Sequence, residues 1–353
     1  PGRNSGFLLE IALAEDAEAG RIAQLEAANR LTRAAMASIE EDVGRFGEQS
    51  ILTRSGTYRA AASQIGLAAL ERYETFLAAA GLSYRRLSAT QLEQELGTRF
   101  YQAGLYSPDC YLAQPAAVIR ALATGLPDSV ALYEHSRVVG LDRVSGKWRV
   151  ATPEGTVTAD KVVLANNAFA AKLGFAGSQL ASVYTYAGLT PRLSESTLDT
   201  LGTNQEWGLL PTHRLGSTLR RTSDGRLLIR SLHDYERERS SASIRSELKS
   251  RLHSRFQQLK GVDFEHLWAG AVGFTLNGGL VWGELEPGLF ASCGCNGGGT
   301  VKGTLLGSLI AEKALDQPTP DVLALFGQAS WMPPEPFRSV GFYLTSAWES
   351  WQG

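Results

Sequence analysis

The sequence is poor in cysteine and histidine, with three cysteines and five histidines among 353 residues. An odd cysteine count in a chain of this length is not the pattern of a disulfide framework. No Cys-x-x-Cys pair occurs, so the sequence does not support a structural zinc site and we expect no metal. Cys293 and Cys295 flank Gly294 in an apolar run, which favours small buried side chains over a redox pair.

Neither sign of charge is in excess, because 34 Lys and Arg stand against 36 Asp and Glu and leave a formal net charge of -2. This balance gives no electrostatic case for nucleic acid or an anionic membrane as a partner. No apolar stretch reaches the roughly 20 residues that a spanning helix needs. The first residues also lack the basic, apolar and small-residue regions of a secretion signal. We therefore expect a cytoplasmic protein.

The spacing of apolar residues changes twice along the chain. From Glu15 to about Phe46 they recur at helical spacing, which predicts a long amphipathic helix. The run Val162–Ala165 is fully apolar, as in a strand buried on both faces of an α/β sheet. From Val183 to Arg230 the pattern becomes one of longer, alternating strands, and strand and helix signals then alternate again.

These patterns predict an α/β fold class, α+β overall, with two domains that are assembled discontinuously. The first domain is expected to comprise residues 1–50, 110–182 and 265–330. The second, built on an antiparallel sheet, is expected to comprise residues 51–109 and 183–264. Residues 331–353 are expected to form a C-terminal tail.

The segment CGCNGGGTVKG (293–303) runs from an apolar strand through four glycines into a helix that is predicted to begin near Thr300. Glycines at such a turn let the backbone approach a ligand, while the helix N-terminus offers free N–H groups and partial positive charge. This arrangement suits a phosphate, or an electron-rich ring or carbonyl. The alternative is a tight turn that needs glycine for steric reasons alone. The segment lacks the Gly-Lys-Ser/Thr ending of a Walker A loop.

The first heptad, PGRNSGF (1–7), has a similar character at the other end of the sequence. Its two glycines allow close approach of the backbone, and Arg3 and Asn4 offer side-chain donors to an anion. The helical pattern that follows could direct its N-terminus at the same ligand. The alternative is a disordered terminal segment without a function.

Five segments, in this order and spacing, resemble the D-amino-acid-oxidase-like family of FAD-dependent oxidoreductases, in its gamma-glutamylputrescine oxidase and glycine/sarcosine oxidase branch. They extend over almost the whole chain and are GRNSGF (2–7), LAQPAAVIRALA (112–123), YEHSRVVGLDR (133–143), ADKVVLANNAFAAKL (159–173) and HLWAGAVGFTLNGGLVWGELEPGLFASCGCNGGGTVKGTLLGSLIAE (266–312). The resemblance implies that the first domain is a Rossmann-like FAD-binding domain and the second a substrate domain.

The same resemblance implies FAD as the cofactor and indicates where it would lie. The contacts come from the first heptad, from a valine whose backbone would meet the adenine, and from two loops that follow apolar strands. The expected cofactor-binding residues are Gly2, Arg3, Asn4, Ser5, Gly6, Val138, Ala165, Asn166, Gly294, Asn296, Gly297, Gly298, Gly299 and Thr300.

The sequence departs from the family pattern in three places. No Gly-x-Gly-x-x-Gly occurs in the 353 residues, nor does the acidic residue after the second strand, and these hold the pyrophosphate and ribose. We therefore expect the Rossmann-like domain to lack its first βα unit, and a separate N-terminal peptide carrying that motif to be a partner. Residues 275–283 lack the family's proline. Lys302 lies one position away from the family's basic residue, and an ordinary solvated lysine is the alternative there.

The resemblance implies an amine or amino-acid oxidase or dehydrogenase, which oxidises a C–N bond to an imine and passes a hydride to flavin. The flavin would be reoxidised by O2 or another acceptor, and the substrate would be a small-molecule amine or amino acid. Trp282 and Lys302 are the expected catalytic residues, because they lie close in sequence to the glycine-rich segment. Further substrate contacts are expected among Tyr184, Tyr186, Arg220, Arg221, His233 and Trp268.

Two other interpretations of the sequence remain open. The chain could be a non-catalytic or incomplete flavoprotein subunit that needs a separate N-terminal segment to bind FAD. It could also be a tRNA-modifying or other biosynthetic oxidoreductase of the same superfamily, although its near-neutral charge does not favour an RNA substrate.

Overall fold

The computed structural model of the protein describes residues 2–9, 22–213 and 215–352. Within these ranges the chain alternates short strands with helices and includes three 3-10 turns, at Gln49–Ile51, Asn167–Leu173 and Gln257–Leu259. The strands are β1 (Phe7–Leu8), β2 (Leu52–Thr53), β3 (Thr57–Ala61), β4 (Arg85–Ser88), β5 (Ala103–Ser107), β6 (Tyr111–Ala113), β7 (Gly140–Val144), β8 (Lys147–Thr152), β9 (Gly155–Ala159), β10 (Val162–Leu164), β11 (Ala181–Leu189), β12 (Trp207–Pro211), β13 (Thr218–Arg221), β14 (Leu227–Tyr235), β15 (His266–Phe274), β16 (Val281–Glu286) and β17 (Leu289–Cys293).

The helices begin and end where capping and turn chemistry allow. Ser63 and Ser88 cap two of them by accepting hydrogen bonds from backbone N–H groups, and Ser88 completes a capping box with Gln91. The helices are α1 (Ile22–Phe46), α2 (Gln64–Ala79), α3 (Ala89–Leu96), α4 (Pro115–Thr124), α5 (Glu195–Leu198), α6 (Ser241–Arg255), α7 (Gly299–Ala314), α8 (Val322–Phe326) and α9 (Phe337–Gln352).

The largest structure is an eight-stranded sheet with the order β15-β11-β14-β13-β12-β3-β5-β4, called the large sheet below. Its strands pair antiparallel, with one parallel pair between β12 and β3. One face carries the most extensive apolar core, in which Leu248 and Leu252 of α6 pack on Leu219 and Ile229 of the sheet. We call this side the α6 face.

Three smaller sheets accompany the large sheet. They have the orders β1-β6-β2, β10-β17-β16 and β7-β8-β9. In the second of them β10 and β17 are parallel, with Leu164 opposite Ala291, so both strands end at the same edge. A second core lies between α1, α4 and α7, where Ile39, Val118 and Leu306 are buried together.

The predicted mixed α/β class with several sheets is confirmed. The predicted long helix is present from Ile22 to Phe46, and residues 15–21 of that prediction lie outside the described residues. The strand, glycine-rich turn and helix that were predicted between residues 288 and 315 are present as β17, the segment after it and α7. None of the helices in the described ranges combines the length and apolar character needed to cross a membrane.

The core on the α6 face predicts a large loss of stability when Leu252 is shortened. Its side chain is 0% exposed, so Leu252→Ala removes apolar contacts and leaves a cavity that costs about 2 to 5 kcal/mol of unfolding free energy. Urea denaturation followed by circular dichroism measures the change. The matched control is Leu132→Ala, because Leu132 is 59% exposed and its truncation is expected to cost at most about 0.5 kcal/mol. Equal losses in the two variants would contradict the placement of α6.

Candidate active site

The candidate site begins at the edge where β10 and β17 end. The chain leaves β17 through residues 294–298, which we call the glycine loop, and leaves β10 through Ala165 and Asn166. The side-chain oxygen of Asn167 accepts hydrogen bonds from the backbone N–H groups of Gly294 and Cys295, at 2.9 and 3.2 Å. Its amide nitrogen lies 3.1 Å from the sulfur of Cys295. One side chain therefore joins the exits of the two parallel strands.

Asn296 holds the far side of the glycine loop. Its Oδ1 accepts a hydrogen bond from the backbone N–H of Thr275 at 2.9 Å, and its Nδ2 donates to the Gly294 carbonyl at 2.8 Å. The backbone N–H of Asn296 donates to Gly273 at 3.0 Å. The sequence predicted Asn296 as a cofactor contact, but its side chain is committed to bonds within the protein. The side chain of Asn296 therefore shapes the loop.

Helix α7 starts directly after this loop, with Gly298 at its N-cap and without a side-chain cap. The first N–H groups of a helix have no partner within the helix, so an uncapped end needs water or a ligand. Among the described residues, a Cβ at Gly297 would have no atom within 4 Å, and a Cβ at Gly299 would meet only the Cys295 sulfur at 3.8 Å. The helix end is therefore open to an electron-rich group, which the helix dipole favours.

Residues 2–6, the N-terminal loop, lie against this helix end. The side-chain nitrogen of Asn4 donates to the hydroxyl of Thr300 at 2.7 Å, and the Asn4 oxygen accepts from the Gly6 N–H at 2.7 Å. The carbonyl of Arg3 accepts from the indole N–H of Trp268 at 2.9 Å, and the Arg3 guanidinium donates to Ala269 at 3.3 Å. The loop thus connects α7 to β15 of the large sheet.

Gly6 sits on a buried arginine of the large sheet. Its φ of +83° lies in the left-handed region, and a Cβ would overlap the Ala113 carbonyl and the Arg220 guanidinium. Arg220 donates to that carbonyl and forms an ion pair with Glu206 at 3.2 Å. Burial lowers the pKa of Arg220, and Glu206 acts in the opposite direction. Arg220, a predicted substrate contact, therefore supports the loop, since its partners lie within the protein.

The predicted substrate contacts fall on both faces of the large sheet. Residues that pair directly across strands, or lie two apart on one strand, share a face. Trp268 lies on the face against the N-terminal loop, which we call the loop face. Tyr184 and Tyr186 pack into the core on the α6 face, where Tyr186 accepts a hydrogen bond from the Arg239 N–H. That direction takes both tyrosines away from the loop.

Two further predicted contacts are used for packing. Arg221 donates to the carbonyls of Leu201 and Asn204, at 3.4 and 3.0 Å, so its guanidinium closes a turn of the protein. His233 is partly buried beside the ring of Phe342, with 5.7 Å between the ring centroids. Burial is the main cause that lowers the pKa of His233.

The two predicted catalytic residues lie at different distances from the glycine loop. Trp282 donates from its indole to the Leu306 carbonyl at 3.3 Å, and Lys313 lies 5.8 Å from its ring centroid. Leu306 is seven residues beyond Gly299, about 10 Å along the helix axis. Trp282 therefore packs on the middle and far part of α7, away from the loop. Lys302 is in the first turn of α7, against Gly298 and 5.8 Å from the ring of Phe326.

The remaining predicted cofactor residues lie next to two strands, directly after β10 and shortly before β7. Ala165 is exposed after β10, and the side-chain oxygen of Asn166 is a buried acceptor without a partner among the described residues. Val138 is partly buried, two residues before β7. Burial raises the pKa of Cys293 to about 11, so this thiol stays protonated at neutral pH, as expected of a small packed side chain.

Asn167 and Thr275 are parts of the site that the sequence did not single out. Asn167 adopts a positive φ of 48°, which asparagine tolerates better than most residues. The Asn-Asn pair directly after an apolar strand was the available signal for it. Thr275 is fully buried and also donates to the Gly279 carbonyl at 2.7 Å.

Comparison with solved structures shows the same fold in proteins of low sequence identity. Glycine oxidase from Geobacillus kaustophilus superposes with a TM-score of 0.75 at 20% identity, covering 94% of this chain and 89% of that one. Iminodiacetate oxidase from Chelativorans sp. BNC1 superposes with a TM-score of 0.69 at 18% identity, with 94% and 89% covered. At these identities the likeness concerns the fold alone.

Sequence comparison identifies the family. The chain is 27% identical over 232 residues to a probable oxidoreductase, OrdL, from Haemophilus influenzae, which covers 64% of this chain. The chain spans only 52% of the length of that relative. The family model for FAD dependent oxidoreductases of the DAO type matches residues 1–313 of the 353. The chain therefore belongs to the DAO family of FAD-dependent oxidoreductases, and FAD is its cofactor.

Proposed function

We propose that this protein oxidises the C–N bond of a small amine or amino acid to an imine, and that the electrons removed from the substrate pass to O2 or another acceptor. The observation that carries the proposal is the meeting of two glycine-containing loops at the open end of α7. Asn4 and Thr300 are 296 positions apart and yet hydrogen-bonded at 2.7 Å. The loop face of the large sheet lies on the other side of the N-terminal loop and supplies a wall for a substrate.

The residues at this edge fit the cofactor of the family. The open N-terminus of α7 and the uncrowded Gly297 suit an electron-rich ring or carbonyl. Asn166 offers a buried acceptor that no described residue satisfies, and a buried polar atom of this kind usually has a partner in the functional state. Gly6, Asn4 and Arg3 would border the same group from the opposite side. We propose this edge as the flavin-facing part of the FAD site.

When bound, FAD would supply the redox chemistry by accepting a hydride, which carries two electrons, from the carbon next to the substrate nitrogen. The chain's own residues then have the tasks of binding, orienting and shielding. The N-terminal loop, held by α7 and by β15, forms one wall of the space proposed for the substrate. Trp268 adds an aromatic surface, and its indole N–H already donates to the Arg3 carbonyl. We propose Lys302 as a residue near the reacting groups, since it lies in the first turn of α7.

A second candidate function rests on one observation of the sequence. The Gly-x-Gly-x-x-Gly motif that holds the pyrophosphate in such folds does not occur in these 353 residues. A flavoprotein chain that needs this motif from a separate N-terminal peptide would not catalyse alone. Intact-mass measurement of the purified protein tests this alternative, since a short co-purifying peptide would support it.

The proposed activity predicts that substrate bleaches the bound flavin. With oxygen excluded, the FAD-loaded protein is expected to lose its visible flavin absorbance on addition of one of glycine, sarcosine, putrescine or γ-glutamylputrescine, and to regain it when air is admitted. Stopped-flow absorbance measures both phases. The control is the same titration with alcohols of matched size, which lack the nitrogen. Absorbance that survives every amine in a FAD-loaded sample would refute the proposal.

The hydrogen bond between Asn4 of the N-terminal loop and Thr300 of α7 predicts a coupled loss of FAD affinity. Asn4→Ala removes the donor to Thr300 and the acceptor for Gly6, so the dissociation constant for FAD is expected to rise about 3- to 30-fold. Thr300→Val removes the partner hydroxyl, and the double variant is expected to lose less affinity than the two single losses together.

Flavin fluorescence titration measures all three variants. Thr304→Val is the matched control, because Thr304 lies one turn further along α7 and its hydroxyl donates to the Thr300 carbonyl of the same helix, at 3.1 Å. Strict additivity of Asn4→Ala and Thr300→Val, or an equal loss in the control, would show that this contact does not shape the cofactor site.

A further inference from the structure

Helix α9 exposes an apolar side to solvent. Five of its large side chains are 53% to 84% exposed and follow one another at intervals of three, four, four and three residues: Phe337, Val340, Leu344, Trp348 and Trp351. At about 100° of rotation per residue, the five lie within an arc of about 80° on one side of the helix. We call this side the α9 stripe. In a globular protein such a side ordinarily faces the core, so the orientation of α9 is the reverse of the usual one.

Contacts on the opposite side of α9 fix this orientation. Phe342 lies two residues from Leu344, about 160° away around the helix axis. Its ring packs on β14, with centroids 5.7 Å from His233 and 5.2 Å from Tyr235. The helix therefore cannot rotate to bury the α9 stripe without losing the contacts of Phe342 with the large sheet.

The area of the α9 stripe is in the range of a protein–protein contact. An aromatic side chain can bury about 150 to 250 Å², and the stripe holds three of them beside a leucine and a valine. Allowing for the part that α9 itself covers, the stripe offers on the order of 600 Å² per copy, and exposed apolar patches of this size commonly mark interaction sites. Two such stripes in contact would bury about 1,200 Å², the lower end for specific interfaces.

The spacing of the α9 stripe is self-complementary. The intervals of three, four, four and three residues are symmetric about Leu344. If two copies of α9 run antiparallel with Leu344 opposite Leu344, Phe337 faces Trp351 and Val340 faces Trp348. A two-fold interface requires this property, because each residue that contacts a second one across the axis must also be contacted by its copy.

A lipid surface fits α9 less well than a second copy does. Helices that lie in a membrane interface carry several Lys and Arg residues on their polar side. Between Phe337 and Gln352 the sequence has one basic residue, Arg338, and one acidic residue, Glu349. The guanidinium of Arg338 donates to the Pro333 carbonyl at 2.9 Å. The charge of α9 thus gives no attraction to anionic lipids.

We propose that a second copy of this chain covers the α9 stripe, with the two α9 helices antiparallel about a two-fold axis at Leu344. The side chains of the stripe then interdigitate along the two helices, as apolar seams do between paired helices. This inference goes beyond the proposed function and does not rest on it.

Substitutions at the two-fold axis test the pairing in the full-length, FAD-loaded chain. Leu344→Glu places two carboxylates opposite each other, and Leu344→Lys places two ammonium groups there. Leu315→Glu, at the end of α7, is the matched control, because Leu315 is 67% exposed and Leu344 is 66% exposed. Sedimentation velocity determines whether each sample has the mass of one chain, 38.0 kDa, or of two. Circular dichroism verifies that the variants are folded.

The natural chain and Leu315→Glu are expected to sediment as two copies between about 1 and 100 µM, where a contact of this area associates. Leu344→Glu and Leu344→Lys are each expected to raise the dissociation constant of the pair at least about 100-fold, because like charges meet at the axis. An equimolar mixture of these two variants is expected to form two-copy particles again, since opposite charges then meet.

A second pair of variants tests the antiparallel direction. The chain with both Phe337→Lys and Trp351→Glu is expected to pair about 10-fold more tightly than the chain with Phe337→Glu and Trp351→Glu, because position 337 faces position 351 of the other copy. Equal affinities of these two chains would overturn the antiparallel arrangement.

Three other results would overturn the inference as a whole. The first is a natural chain that sediments as one copy throughout the concentration range, and its flotation with phosphatidylcholine vesicles would then assign the α9 stripe to a lipid surface. The second is a two-copy particle that persists in both Leu344→Glu and Leu344→Lys. The third is a mixture of these two variants that remains single copies.

Discussion

The parallel pairing of β10 with β17 is the constraint on which the candidate site depends. Because the two strands run in the same direction, their carboxyl ends meet at one edge, and the segments that follow them must share that space. The Asn167 side chain then satisfies two backbone N–H groups of the glycine loop. With the loop held in this way, α7 begins at a defined point with its N–H groups directed outward.

The site also depends on the position of the N-terminal loop, which is held by contacts with three separate parts of the chain. Asn4 bonds to α7, Arg3 bonds to β15, and Gly6 rests on the arginine of β13. A loop of this kind without an apolar core of its own is ordered only by such contacts, each of which is modest alone. Together they join the start of α7 to the large sheet. The site therefore depends on contacts between residues that are far apart in sequence.

The parts of the site that could be predicted from the sequence are those with local signals. Glycines between an apolar strand and an apolar helix indicated the loop, and α7 begins at Gly299, beside the expected Thr300. The faces of β11 could not be assigned in the same way, because alternation shows which residues share a face and not what each face meets. Trp282 was chosen for its closeness in sequence to the loop, whereas its strand places it against the middle of α7.

The roles of Asn167 and Asn296 could not be predicted from the sequence, for a related reason. Asn296 and Asn167 are both polar residues at strand ends, and a cofactor contact and an internal fastening have the same appearance in sequence. Only the three-dimensional partners, Thr275 and the N–H groups of Gly294 and Cys295, distinguish the two uses. The side-chain oxygen of Asn166 is buried and has no such partner among the described residues, so it is available to accept a hydrogen bond from a ligand.

The arginines of the large sheet can be judged in the same way, by whether each has hydrogen-bond acceptors within the protein. Arg220 and Arg221 are both buried, and each has acceptors within the protein, so their charges contribute to structure. A buried charge that has partners within the protein is therefore not by itself a sign of a substrate site.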